Sequence, residues 1–201
     1  AIFGAGHVAK ALVPILAQLP VRIVWIDSRE DLFPDALPAN VQKIVEDAPE
    51  SEVRHLDENS WLIILTHDHQ LDFRITEQAL KHPSLPFVGL IGSDTKAKRF
   101  KTKLTHRGFD EHALARLVTP IGNRDIPGKQ PIEVAVSISA QIIARLHHDN
   151  RSATPSAVSD VSVSHVQTDK LNKTGGEQVV ATTLDDSESS SSKKDTTRDI
   201  K

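Results

Sequence analysis

The chain alternates between short, mostly apolar runs and longer stretches in which apolar residues return every three or four positions. The runs are Ala1–Phe3, Val21–Ile26 (VRIVWI), Trp61–Leu65 (WLIIL) and Phe87–Ile91 (FVGLI), with a weaker one at Val41–Val45. Apolar at nearly every position and rich in β-branched residues, they predict strands covered on both faces, as in a parallel sheet. Between the first two, His7–Gln18 carries Val8, Leu12, Val13, Ile15 and Leu16 at helical spacing, and Pro14 predicts a kink or an early stop. Further helices are predicted at Leu71–Lys81, about Asp94–Arg107, Glu111–Leu117 and Ile132–His148, the last opened by Pro131, whose fixed φ suits a first helical turn. Strand and helix in alternation predict an α/β fold with a doubly wound, mostly parallel sheet.

From residue 150 the pattern stops. Residues 150–201 mix Ser, Thr, Asp and Lys with no sustained apolar period, so they bury too little surface to offset the entropy of ordering. The expected organisation is one domain at residues 1–149 and a disordered tail at 150–201. The chain has no Met and opens inside an apolar run that ends at Gly4, which reads as an N-terminally truncated domain with an incomplete first strand.

Composition narrows the function. With Lys+Arg 24 against Asp+Glu 27 and a net charge of −3, no global positive field exists to hold a nucleic acid or an anionic membrane, so any anion site must be local. No apolar run approaches the roughly 18–20 residues that cross a bilayer. The absence of Cys excludes disulfides, Cys-ligated metals and thiolate catalysis, and agrees with a cytoplasmic protein.

Three turns carry candidate chemistry. Gly4-Ala5-Gly6-His7-Val8-Ala9 is the G-x-G-x-x-A form of the dinucleotide fingerprint, which makes the expected fold Rossmann-like. In it Gly4 permits the tight turn, Gly6 lets a diphosphate approach bare backbone, and the small Ala9 lets helix press on strand. Asp27, about 20 residues on at the end of the next strand, is placed to accept from a ribose hydroxyl and to disfavour a 2′-phosphate, while Arg29 works against that preference. The second turn is Thr66-His67-Asp68-His69 with Asp72; its imidazoles and carboxylates suit ligand contact or proton transfer, whereas metal ligands would all have to converge from one short turn. The alternative is that Thr66 or Asp68 caps the following helix. The third is Gly92-Ser93 followed by Lys96 and Arg99, three apart on a basic helix, which suits either a phosphate or a solvated face. A loop with Gly122, Arg124, Gly128 and Lys129 is either a cover for an anion or a connector, and Glu133 in the next helix's first turn favours its dipole.

Taken together, these stretches resemble the Rossmann domain of the xanthine dehydrogenase accessory (XdhC-type) family. The resemblance is carried by Phe3-Gly4-Ala5-Gly6-His7-Val8, Asp27-Ser28-Arg29, Thr66-His67-Asp68 with Asp72, Gly89–Ser93 with Lys96 and Arg99-Phe100, and Pro120-Ile121-Gly122 leading to Pro131–Ile138, over about residues 1–146. It implies a chaperone with no catalytic residue and no metal site of its own, which holds molybdenum cofactor (molybdopterin), supports its sulfuration by a cysteine desulfurase and delivers it to xanthine dehydrogenase; a homodimer is open. Family members carry a separate N-terminal domain that these residues do not include, and Asn123-Arg124-Asp125 departs from the apolar, Gly-containing turn expected there. Two other readings stand beside this one. The first is an NAD-dependent oxidoreductase with His67 or His69 as proton donor, disfavoured because a Tyr–Lys pair is impossible in a chain without Tyr. The second is a nucleotide-sensing regulatory domain.

Overall fold

The computed structural model describes residues 1–152, with side chains to 148. Six strands form one parallel sheet: β1 (Ile2–Phe3), β2 (Ile23–Asp27), β3 (Val41–Val45), β4 (Trp61–Ile64), β5 (Phe87–Leu90) and β6 (Leu117–Val118). The order across the sheet is β3-β2-β1-β4-β5-β6, so the winding reverses between β1 and β4. Ile2 lies opposite Trp25 on one side and Ile63 on the other, and Phe3 opposite Ile26 and Ile64.

Side chains alternate across this plane, and each face builds its own core. Ile2, Trp25, Ile63 and Phe87 point to the face covered by α1 (His7–Leu16) and α5 (Pro131–Ser152), which supply Leu12, Val13, Leu16, Ala135, Ile138 and Ile142. Phe3, Ile26, Leu62, Ile64, Val88 and Leu90 point to the other, covered by α2 (His69–Lys81) and α3 (Asp94–His106). Burial on both sides explains why these strands read as continuous apolar runs.

Pro14 sits in the last turn of α1 on its exposed side, and the helix ends two residues later, in keeping with an early stop. α2 begins two residues before its apolar period, because the Asp68 carboxylate accepts from the Gln70 amide as N-cap. One expectation needs correction: the helix expected over Glu111–Leu117 is only α4 (Glu111–Ala115), and Leu117–Val118 is the sheet's sixth strand. Two residues are too few to show a strand period, and pairing with Val88 and Gly89 is what makes them one. The Arg116 guanidinium, just before β6, donates to the carbonyls of Leu80, His82 and Leu85, tying the end of α2 to the approach to β5. Helix α5 passes the boundary expected at residue 149, and the tail beyond Ser152 lies outside the described residues. No helix among those residues is long and apolar enough to cross a membrane.

Candidate functional site

At the carboxyl ends of β1 and β4, the point of winding reversal, an open parallel sheet leaves a crevice between neighbouring loops. Gly4 fills the narrowest part. Its φ is +107°, and a Cβ there would stand 2.6 Å from the Leu65 carbonyl oxygen, so both backbone conformation and space demand glycine. The turn is held from beneath: the Gly4 amide donates to the Ile26 carbonyl at 2.8 Å, and buried Trp25 Nε1 donates to the Gly4 carbonyl at 2.9 Å.

Gly6 differs. Its φ of −73° suits any residue, and a Cβ would meet nothing within 4 Å. What glycine leaves there is open space above the start of α1. No side chain caps this helix and its first turn holds no acid, so its leading amides and the positive end of its dipole face that space without a competing carboxylate. Exposed His7 stands at the rim, and Ala9, 1% exposed, packs against the sheet as the fingerprint requires.

Asp27 is where a ribose acceptor belongs, but its oxygens are engaged. Oδ2 accepts from the Ala5 amide at 2.6 Å and from Arg29 Nη2, and Oδ1 accepts from the Arg29 amide and Nε. Burial pushes this carboxyl's pKa up, and the hydrogen bonds from Arg29 and Ala5 outweigh it, holding the group below the usual carboxylate range. The pairing in turn raises the guanidinium's own pKa. Asp27 therefore braces the glycine turn. Because Arg29 neutralises it, it has little charge left with which to repel a 2′-phosphate.

The second turn has a similar economy. Asp72, 0% exposed, cannot touch a ligand; it accepts from the Thr66 hydroxyl at 2.6 Å and from Lys96 Nζ at 2.5 Å. Lys96 also donates to the Ile91 carbonyl at 2.9 Å, and its side chain is only 10% exposed. Thr66, Asp72 and Lys96 thus lock the loop after β4, the first turn of α2 and the first turn of α3 together. Lys96 and Arg99, expected to grip one phosphate, both line the groove between α2 and α3, where Lys96 turns inward to Asp72 and Arg99 stands exposed. Asp68 and Ser93 serve as N-caps, Ser93 accepting from the Lys96 amide. The groups of these turns left outward are His67, His69, Gly92 and the rim of Ser93.

The loop before α5 is pinned as a connector. The Gly122 amide donates to Gln141 Oε1, the Asn123 amide to the Ser137 carbonyl, and the Ser137 hydroxyl to the Asn123 carbonyl. Glu133 Oε2 accepts from the amides of Lys129 and Gln130, a true cap beyond the dipole role expected of it. Sequence reasoning missed Trp25 and Ala5 as supports of the glycine turn, and Phe73, Lys103 and Arg107 beside Arg99. Trp25 carries no such signal, since a buried indole in a strand reads only as core. Lys103 was legible as the next turn of the basic helix.

This geometry defines a doubly wound dinucleotide-type domain whose first helix presents bare amides at the topological switch point. The XdhC Rossmann domain model matches residues 1–142, and the chain belongs to that family. An Escherichia coli protein described as uncharacterized protein YqeB is 29% identical over 143 residues, covering 71% of this chain and 26% of its own length. A crystal structure described as a xanthine dehydrogenase from Bacillus halodurans superposes with a TM-score of 0.63 at 28% identity, covering 77% of this chain and 44% of that one. The chain therefore spans about a quarter of the curated relative and under half of the solved one.

Proposed function

We propose that this domain is the cargo-holding part of a cytoplasmic accessory protein for xanthine dehydrogenase, which binds molybdenum cofactor, shields it while a cysteine desulfurase sulfurates it, and hands it to the apo-enzyme. Membership of the XdhC family and likeness to a chain described as a xanthine dehydrogenase support the accessory role. The observation that carries the binding role is the open space at Gly6 above the uncapped, acid-free start of α1.

The cargo brings an anionic phosphate and a pterin rich in hydrogen-bonding edges. The amides that follow Gly6 at the start of α1, with His7 at the rim and Ala9 setting the helix close, hold the phosphate by oriented dipoles, while the Ala5 amide stays with Asp27. His67, Gly92 and Ser93 line the side toward β4 and β5 and meet the ring. Asp27 with Arg29, and Asp72 with Thr66 and Lys96, act indirectly, fixing the two loops so that the amides need not reorganise when the anion arrives. Backbone dipoles without a buried counter-charge favour binding that a docked partner can reverse, as delivery requires.

The test is a titration of full-length protein with molybdopterin and, separately, with oxidised and reduced nicotinamide dinucleotides, for the wild type and Gly6→Asp. Saturable pterin binding that Gly6→Asp abolishes while the circular dichroism melt is unchanged, together with activation of apo-xanthine dehydrogenase, is the expected result. Tight dinucleotide binding with no response to the pterin would replace this reading with nucleotide sensing.

A further inference from the structure

Helix α3 and the residue after it carry six cations, Lys96, Lys98, Arg99, Lys101, Lys103 and Arg107, against one acid, Asp94, in a chain whose net charge is −3. Two of them are committed: Lys96 to Asp72, and Arg107 to Glu77. Arg99 and Lys103, one turn apart, have no carboxylate partner among the described residues; the Lys103 ammonium lies 4.0 Å from the Phe73 ring centre. These two line both flanks of the helix. On one side a groove of about 460 Å³ between α2 and α3 has Phe73 and Phe100 in its floor and His69 and Arg74 at its rim. On the other a hollow of about 660 Å³ is lined also by Lys98 and His106.

The shared cations make the ridge between the two grooves the recognisable feature. A compact anion held in the α2–α3 groove would want a buried charge free to meet it, whereas the buried cation that lines the groove, Lys96, is already neutralised by Asp72, and Arg99 and Lys103 stand exposed. Cations about 6 Å apart along the helix match carboxylates strung along a chain, and the aromatic floor accepts an apolar side chain between them. We propose that α3 is the docking surface for an acidic segment of a partner protein, its carboxylates straddling Arg99 and Lys103 and an apolar side chain entering the α2–α3 groove. The α2–α3 groove lies on the face of the sheet opposite α1, so docking leaves the space above Gly6 open, and the proposal is independent of which cargo is carried there.

The probe is a fluorescein-labelled peptide of alternating Glu and Leu, followed by anisotropy with the full chain at about 50 mM salt, where surface charges are weakly screened. Binding is expected to be saturable, to weaken as salt rises, to fall about tenfold or more in Arg99→Glu/Lys103→Glu, and to be unchanged in Lys10→Glu on α1. Zero-length amine–carboxyl coupling should join the peptide to Lys98 or Lys103. Absence of saturable binding, or equal binding by the reversed variant, overturns the proposal. So does full displacement by inorganic pyrophosphate at constant ionic strength, which would make the groove a small-anion site. Coupling of those lysines in the free protein to Asp185, Asp186 or Glu188 of the same chain, or to a second copy, would assign a different occupant and equally overturn it.

Discussion

Lys96→Met is the sharpest probe of how the site is held. It removes the ammonium that Asp72 faces, leaving a carboxylate with no exposed surface and only the Thr66 hydroxyl as donor. Stranding one member of a buried pair costs about 3–5 kcal/mol, whereas replacing both members is often close to neutral. Asp72→Asn is milder, because Lys96 keeps the Ile91 carbonyl and a tenth of its surface in water, and the amide oxygen still accepts from Thr66; about 2 kcal/mol is expected. The double variant should lose about 2 kcal/mol rather than the sum of the two, giving a coupling of about 4 kcal/mol, above the usual range for residues in contact because the pair is buried. Urea unfolding of the full chain, with the m-value checked for constancy, measures each corner of the cycle. In heat, about 4 kcal/mol from Lys96→Met corresponds to a fall in Tm of about 8–16 °C for a domain of this size. A coupling below about 0.5 kcal/mol, the additivity seen for independent sites, would refute the lock between the two loops and return Lys96 to the role of a free anion ligand.

Other expectations follow from the same geometry. Gly4→Ala should destabilise by about 2–4 kcal/mol, because a positive φ and a backbone clash act together, and a melt compared with that of Gly6→Ala, expected within about 0.5 kcal/mol of wild type, checks it. Asp27→Asn should flatten the acid limb of stability: since the folded carboxyl titrates below its unfolded value near 3.9, its stabilisation is complete above about pH 5 and disappears as pH falls through the depressed folded value, a loss that urea midpoints between about pH 5 and 2 would record. Arg116→Lys should cost about 2–3 kcal/mol, because a single ammonium does not span the carbonyls of Leu80, His82 and Leu85, and faster amide exchange near the end of α2 should accompany it.

The sequence by itself determined the alternation of strands and helices, because strands buried on both faces and helices buried on one leave periods that can be counted. It also located the glycine turn, since the left-handed φ and the close backbone at Gly4 exclude most other residues, whereas at Gly6 the backbone would accept any residue and glycine leaves open space. Tertiary structure decided which polar groups meet. Asp27, Asp72 and Lys96 look alike in sequence to exposed ligands such as His67, and only the packing of β2 against β1 and of α2 beside α3 turned them inward as braces. Nor did the run Leu117-Val118 announce a strand; its state depends on hydrogen bonds offered by β5, a partner about thirty residues away. Periodicity reports how much of each element is covered, while the direction of a single charged side chain is fixed by distant residues that no local pattern encodes.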